Sequence, residues 1–379
     1  WGLHNTGQSE GTWDADIDVP VAWAMGTGDT SLVVAVIDTG VDYTDDDLYL
    51  NIWINQGEIP DAFAPSLEEM DIDKDGLITF WDLNHVDNSS FVSDLNGNGY
   101  IDGGDLLADP TWADGVDGAD PMSYVDDLVG WDFVNNDNNP LDDHNHGTHV
   151  AGTIGGIGDN ATGVTGVNWK VQMMGLKFLS GDGFGDTNDA IEAIQYATAN
   201  GADLTNNSWG GGGYSEGLKS AIDASSLFVA AAGNSGIGTL EYPAGYTSPN
   251  IISVAATDHN DVYAGFSNYG SPHVDLAAPG VSILSSIRNV NYTHFDGTSM
   301  ATPHVAGAAA LLMAEADRLD LAVDDAFIKQ ALLDSVDPIG DIPANIGRQT
   351  LTNGRLNVNA ALGYMEDDPI PPGNVDDLA

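Results

Sequence analysis

Phe295-Asp296-Gly297-Thr298-Ser299-Met300-Ala301-Thr302-Pro303-His304-Val305-Ala306-Gly307 sets a small, exposed serine between a glycine turn and a run rich in alanine and leucine, which continues to Leu312-Met313. The run reads as a buried helix. Pro303 is expected in its first turn, where backbone donors lack partners in any case. Ser299 then lies at a helix N-terminus, where free amides and the macrodipole favour developing negative charge. That setting suits a nucleophile for acyl transfer. Taken alone, the stretch equally describes a serine that caps a buried helix.

Two further stretches separate these readings. Val33-Val34-Ala35-Val36-Ile37-Asp38-Thr39-Gly40 contains most of a continuous apolar run, Leu32–Ile37, as expected of a parallel strand covered on both faces, and Asp38 closes it. In open α/β sheets the active crevice lies beyond such strand ends, and a buried aspartate there can hold a histidine in one tautomer. His146-Gly147-Thr148-His149-Val150-Ala151-Gly152 supplies the histidine, at the start of a helix whose apolar side continues through Val150 and Ile154. Aspartate, histidine and serine follow one another in the chain order of subtilisin. On these three motifs the chain, from about Trp1 to Tyr364, resembles the subtilisin-like serine proteases. The resemblance implies a doubly wound, mostly parallel α/β fold. It also implies that Ser299 attacks a peptide carbonyl, His146 shuttles the proton and Asp38 orients the imidazole, and it makes His149 structural.

The same resemblance assigns the crevice walls. Gly181-Asp182-Gly183-Phe184-Gly185 matches the segment that pairs with extended substrate, and Ser208-Trp209-Gly210 matches its partner. Glycines let two backbones approach, and adding a strand to an edge is a common way to hold a peptide. Between them, Asp189–Asn200 reads as an amphipathic helix. Phe228–Ala232 reads as a buried strand ended by Gly233-Asn234, with Ala231, Ala232 and Gly233 on the substrate wall and Asn234 as the oxyanion donor. Glu241 falls at the base of the specificity pocket, which predicts Lys or Arg before the scissile bond, against the broad apolar preference typical of the family. Tyr242-Pro243 matches the family's cis peptide.

Composition points to cations. At 379 residues the chain can bury one large core with an appended subdomain. It lacks cysteine, which excludes disulfides and thiol catalysis, and it lacks an apolar run long enough to span a membrane. The 58 acidic against 9 basic residues leave a net charge of −49, which excludes nucleic acid as a partner. Such self-repulsion destabilises a compact state unless counterions offset it. Bound calcium and adaptation to high salt are compatible answers.

The calcium reading is carried by a long insertion, for Asp38 and His146 lie 108 positions apart. Its loop-like interior holds two copies of one pattern. Asp71, Asp73, Asp75, Leu77 and Asp82 form the first, and Asp94, Asn96, Asn98, Tyr100 and Asp105 the second. Each has the spacing of a helix-flanked calcium loop, with glycine sixth. Both carry Asp rather than Glu at position 12, as in dockerin-like repeats. Asp132, Asn135, Asp137 and Asn139 resemble a thermitase-like calcium loop just before His146. By the same resemblance Asp47, Asn160 and the carbonyls of Ile157, Thr162 and Val164 form the family's tight calcium site, and Asp275 a weaker cation site.

At the ends of the chain, Asp18 is expected to cap a short helix around Val21–Met25, and a further helix is expected over Asp324–Ser335. Residues 365–379 read as a linker, and Pro371–Ala379 resembles the first strand of a fibronectin type III module. The expected organisation is a catalytic domain over 1–364 with an insertion at about 55–128. The expected protein is a secreted, monomeric, calcium-dependent serine endopeptidase acting on polypeptides after loss of an N-terminal propeptide. A narrow-specificity processing protease and a catalytically silent calcium-binding adhesion module are the alternatives.

Overall fold

Alternate residues of the central apolar run feed two different cores. In β1 (Gly28–Asp38), Val34 and Val36 join one apolar cluster, while Val33, Ala35 and Ile37 join another on the opposite face. A strand covered on both faces has no solvent side and therefore no polar alternation. The computed structural model describes residues 1–118, 121–239 and 241–367, so the expected fibronectin-like segment lies outside the described residues.

The other strands are β2 (Gly130–Asp132), β3 (Lys170–Lys177), β4 (Leu204–Asn207), β5 (Leu227–Ala231), β6 (Ile251–Thr257), β7 (Leu276–Pro279), β8 (Ile283–Ile287), β9 (Asn291–Phe295), β10 (Asp337–Pro338) and β11 (Gly354–Arg355). Nine of them form one sheet in the order β10-β11-β7-β6-β5-β4-β1-β3-β2. Its pairings are parallel except β10 with β11. β8 and β9 form a separate antiparallel hairpin. The strand order changes direction at β1, between β3 and β4, so Asp38 sits where an open α/β sheet forms its crevice.

The helices are α1 (Val19–Ala22), α2 (Leu67–Met70), α3 (Phe80–Leu83), α4 (Gly103–Ala108), α5 (His146–Gly155), α6 (Thr187–Ala199), α7 (Glu216–Asp223), α8 (Thr298–Arg318), α9 (Asp325–Asp334) and α10 (Val358–Asp367). α5 and α8 pack on one face of the sheet, α6 and α7 on the other. The expected doubly wound architecture is therefore present. Among the described residues no helix is long and apolar enough to cross a membrane.

Four local expectations need correction. α1 ends at Ala22, and Asp18 does not cap it: its backbone is left-handed (φ 56°) and its carboxylate accepts from Asn357 Nδ2 at 2.7 Å. Pro303 is the sixth residue of α8, in the second turn rather than the first. The proline thus leaves the Ser299 carbonyl without its helical donor, and Ser208 Oγ supplies one at 2.9 Å. α10 carries helix to Asp367 and buries Met365, so the boundary drawn after Tyr364 falls inside a helix. The insertion is loop-rich as expected, but Phe63, Phe80, Leu106 and Trp112 are buried in the same cluster as α5 and α8. It is knitted into the main core rather than appended to it.

Candidate active site

Four neighbouring strands end at one cleft. β1 ends in Asp38, which is fully buried. Its Oδ1 accepts from the Thr39 amide (2.7 Å) and lies 2.7 Å from His146 Nδ1. α5 starts with that histidine, and the turn after β1 packs closely against its next residue: a Cβ at Gly147 would stand 2.0 Å from the Gly40 carbonyl oxygen. Burial pulls the imidazole pKa down, but the charge and hydrogen bond of Asp38, with Asp142 behind it, outweigh burial, and the net shift is upward from 6.5.

Asp142 organises the loop in front of the histidine and was missed from sequence. It is fully buried and accepts from Thr39 Oγ1, the His144 and Asn145 amides, and the amide and hydroxyl of Thr148. The signal for it was available as an aspartate four residues before the first histidine of His-Gly-Thr-His. His149 and His304 are buried behind the cleft, and burial pushes both down to about 4. His149 Nε2 meets the carbonyls of Ile283 and Thr293, in keeping with a structural residue.

Ser299 is the second residue of α8. Gly297 occupies the N-cap position without a side-chain cap bond, so the serine is not a helix cap. Its hydroxyl donates to the Ser208 carbonyl (2.9 Å), just beyond the end of β4. After β5, the Asn234 Oδ1 accepts from both the amide and the hydroxyl of Thr298 (2.9 and 3.0 Å). An amide N–H can only donate, so the network assigns this atom as oxygen and leaves Nδ2 as the free end of the side chain. Thr298 Oγ1 also accepts from the Gly233 amide (3.2 Å). Thr298 is the second functional residue that the sequence motif contained without revealing its role.

The cleft measures about 660 Å³ and is lined by His146, Thr298, Ser299 and Asn234 together with Gly183, Phe184, Gly185, Ser208, Trp209, Gly210, Ala231, Gly233 and Glu241. Ala232, expected with them, faces the other way. It packs with Tyr263 and Val274, and its carbonyl accepts from Asn268. The 181–185 segment is a turn closed by Ser180 N on the Phe184 carbonyl (2.8 Å) rather than a regular strand. Glu241 reaches the cleft beside Gly233, where a Cβ would come 2.2 Å from its Oε2, and its Oε1 accepts from Ser235 Oγ at 2.6 Å.

The candidate calcium residues differ in how closely they converge. Asp71, Asp73 and Asp82 bring carboxylate oxygens within 4.8 Å of one another, a hard-oxygen set that fits calcium. Asp75 instead accepts from Thr30 Oγ1 and the Leu77 amide. In the second loop Asp94 accepts from the amides of Gly97, Asn98 and Gly99, and Asp105 from those of Leu95 and Asn96. Asn96 and Asn98 turn their amide nitrogens to Asp102, and the Tyr100 hydroxyl donates to the Thr44 carbonyl. Asp102, the ninth loop position, was missed although the spacing contained it. Gly76 (φ 93°) and Gly99 (φ 102°) provide the left-handed sixth residue of each loop. The position-12 aspartates, Asp82 and Asp105, also close capping boxes with Thr79 and Asp102.

The residues expected at the tight site lie together, joined through amide groups rather than through the expected carbonyls. Asp47 accepts from Asn160 Nδ2 (2.7 Å) and the Val164 amide (2.8 Å), the Ile157 amide donates to the Asp47 carbonyl, and the Thr162 amide to Asn160 Oδ1. Burial pushes Asp47 up to about 6 and neighbouring Asp45 to about 7, a cost that a bound cation would remove. In the loop before His146, Asn135 Nδ2 donates to Asp132 (2.8 Å) and the Asn139 amide to Asp137 (3.1 Å). Asn139 Oδ1 is engaged by the Tyr43 hydroxyl (2.7 Å). Asp275 accepts from the Ser253 amide (2.8 Å) and burial raises its pKa.

Comparison with known proteins agrees with this architecture. A thermophilic serine proteinase of Bacillus sp. (strain AK1) is 43% identical over 205 residues, covering 53% of this chain and 50% of that protein. Thermitase of Thermoactinomyces vulgaris is 43% identical over 190 residues, 49% of this chain and 67% of that protein. Subtilisin DY of Bacillus licheniformis is 43% identical over 194 residues, 49% of this chain and 69% of that protein. The matched region thus spans between half and about two thirds of these relatives' length. The sequence profile of the subtilase family matches residues 29–364, and the chain belongs to that family.

Proposed function

We propose that this chain is a serine endopeptidase whose nucleophile is Ser299, with His146 as general base and Asp38 as its orienting carboxylate. The observation that carries the reading is the 2.7 Å contact between His146 Nδ1 and a fully buried Asp38, in a cleft that also exposes Ser299. With Nδ1–H committed to Asp38, Nε2 is the basic nitrogen. The Ser299 hydroxyl swings from the Ser208 carbonyl toward Nε2, loses its proton there and attacks the peptide carbonyl. Apo geometry of this kind tightens when substrate binds. The tetrahedral oxyanion is met by Asn234 Nδ2 and the Ser299 amide, both fixed beforehand. His146 then returns the proton to the leaving amine, and water hydrolyses the acyl-enzyme in the mirror of these steps. The alternative of a silent adhesion module is disfavoured because no member of this set is replaced.

Calcium would be held by the Asp71/Asp73/Asp82 loop and by Asp47 with its loop, where it would neutralise clustered carboxylates. We read the protein as secreted, calcium-dependent, monomeric and matured by loss of a propeptide. Glu241 supports a preference for Lys or Arg before the scissile bond, since a carboxylate in a partly desolvated pocket gains from a cationic partner. The test is hydrolysis of matched peptides ending in Phe, Leu, Lys and Arg by the parent and by Glu241→Gln. The parent should favour the cationic peptides, and the variant should lose about tenfold of that preference, in line with one pocket contact. Equal ratios in parent and variant would remove Glu241 as the determinant. A single cleaved sequence across a peptide library would favour the processing protease instead.

A further inference from the structure

Two of the chain's nine basic residues, Arg355 and Lys177, are buried inside the molecule, and Lys177 is the one beside the cleft. Lys177, the last residue of β3, has a side chain only 2% exposed. Its Nζ donates to the Thr39 carbonyl (2.8 Å), the Leu179 carbonyl (2.8 Å) and Asp143 Oδ1 (2.7 Å), which uses all three ammonium donors. In register it stands opposite Asp38 on β1 and Asp132 on β2. The three acceptors belong to three different parts of the cleft. Thr39 follows Asp38, Leu179 leads into the 181–185 segment, and Asp143 lies three residues before His146. The backbone agrees, for the amides of Phe178 and Leu179 donate to the Asp38 carbonyl at 3.0 and 3.1 Å. An ion pair with one half-exposed partner adds little stability on its own, because solvent screens the attraction. What this one does is fix three segments relative to one another.

We propose that Lys177 is a positioning residue for extended substrate, setting the distance between the 181–185 segment and the histidine loop through one ammonium. The inference rests on reading 181–185 as the edge that holds the peptide. A substrate long enough to lie along that edge depends on its placement. A substrate that fills only the pocket beside Ser299 does not.

The experiment compares kcat and KM of the full chain, Lys177→Met and Asp143→Asn on two substrates. One carries four residues on the acyl side of the scissile bond, and the other is a single-residue ester. Lys177→Met keeps the length and removes the donors. Asp143→Asn opens one arm from the exposed side and keeps the test available if the first variant does not fold. For the long substrate kcat/KM should fall about tenfold or more in Lys177→Met, mainly through KM, and about threefold in Asp143→Asn, while the short ester stays within about twofold. Equal losses on both substrates, or an unchanged ratio in Asp143→Asn, would overturn the proposal. A parent chain with no advantage for the long substrate would overturn the edge reading and this inference with it.

Discussion

Asp38 and Asp142 beside the cleft, and Asp71, Asp73 and Asp82 in the insertion, are all carboxylates gathered by the fold, yet they are held in opposite ways. In the cleft each acid stands among fixed donors: Asp38 has the Thr39 amide and His146, and Asp142 has amides and hydroxyls from three segments. In the insertion three acids turn oxygens toward one another within 4.8 Å, with backbone amides behind them. In the first arrangement the protein's own donors meet three of the four carboxylate oxygens, Asp38 Oδ2 being the one left without a partner. The second is repulsive until a cation enters. The difference separates chemistry that the chain organises by itself from stability that it takes from its surroundings.

The cleft side of this comparison gives the largest effect. Asp38→Asn should cost about 10⁴-fold in kcat, because the imidazole loses the partner that fixes its tautomer. It should also move the acid limb. His146 is held above 6.5 chiefly because Asp38 outweighs its burial, and the neutral imidazole is the active form. Activity of the parent is therefore lost as pH falls through a value above 6.5, and in the variant that limb should shift to lower pH. A pH profile of kcat/KM checks the sign, and an unmoved limb would detach Asp38 from His146.

Next in size, Asn234→Leu should lower kcat by about 10²- to 10³-fold with little change in KM, the scale found for one oxyanion donor in subtilisin. Thr298→Val should follow it in direction, since Thr298 Oγ1 holds Asn234. A KM effect without a kcat effect would place Asn234 in ground-state binding instead.

These two residues also mark where the sequence was legible. The apolar run of β1, the helices that begin at His146 and Thr298, and Asn234 after β5 are local patterns, and each could be read from consecutive residues. Thr298 could not, because its role depends on a partner 64 positions away, nor could Lys177, whose carbonyl at Thr39 is 138 positions away. Ala232 was misplaced for a simpler reason. Successive strand residues face opposite sides, so Ala231 and Ala232 could not both line the cleft. Asp18 looked like a cap from its neighbours, but its carboxylate partner Asn357 lies 339 positions on. In the insertion the oxygen spacing was legible, whereas the side-chain directions of Asp75, Asn96 and Asn98 were not.

The insertion side predicts a smaller, different effect. Chelation at low salt should lower the melting temperature by about 3–4 °C for each site that had been filled at a hundredfold over its dissociation constant, worth about 3 kcal/mol. Asp73→Asn should remove part of that calcium response while leaving the pH profile of kcat/KM in place. If molar sodium chloride restored the chelated protein fully, general screening would replace specific binding. A melting temperature indifferent to thorough chelation would erase the contrast between the two regions.

The most direct measurement of the central claim is covalent labelling by a fluorophosphonate, followed by mass mapping of the adduct. The account predicts one adduct per chain, on Ser299, formed by the parent and strongly slowed in His146→Ala. An adduct on any other residue, or a Ser299→Ala variant that labels as fast as the parent, would contradict it.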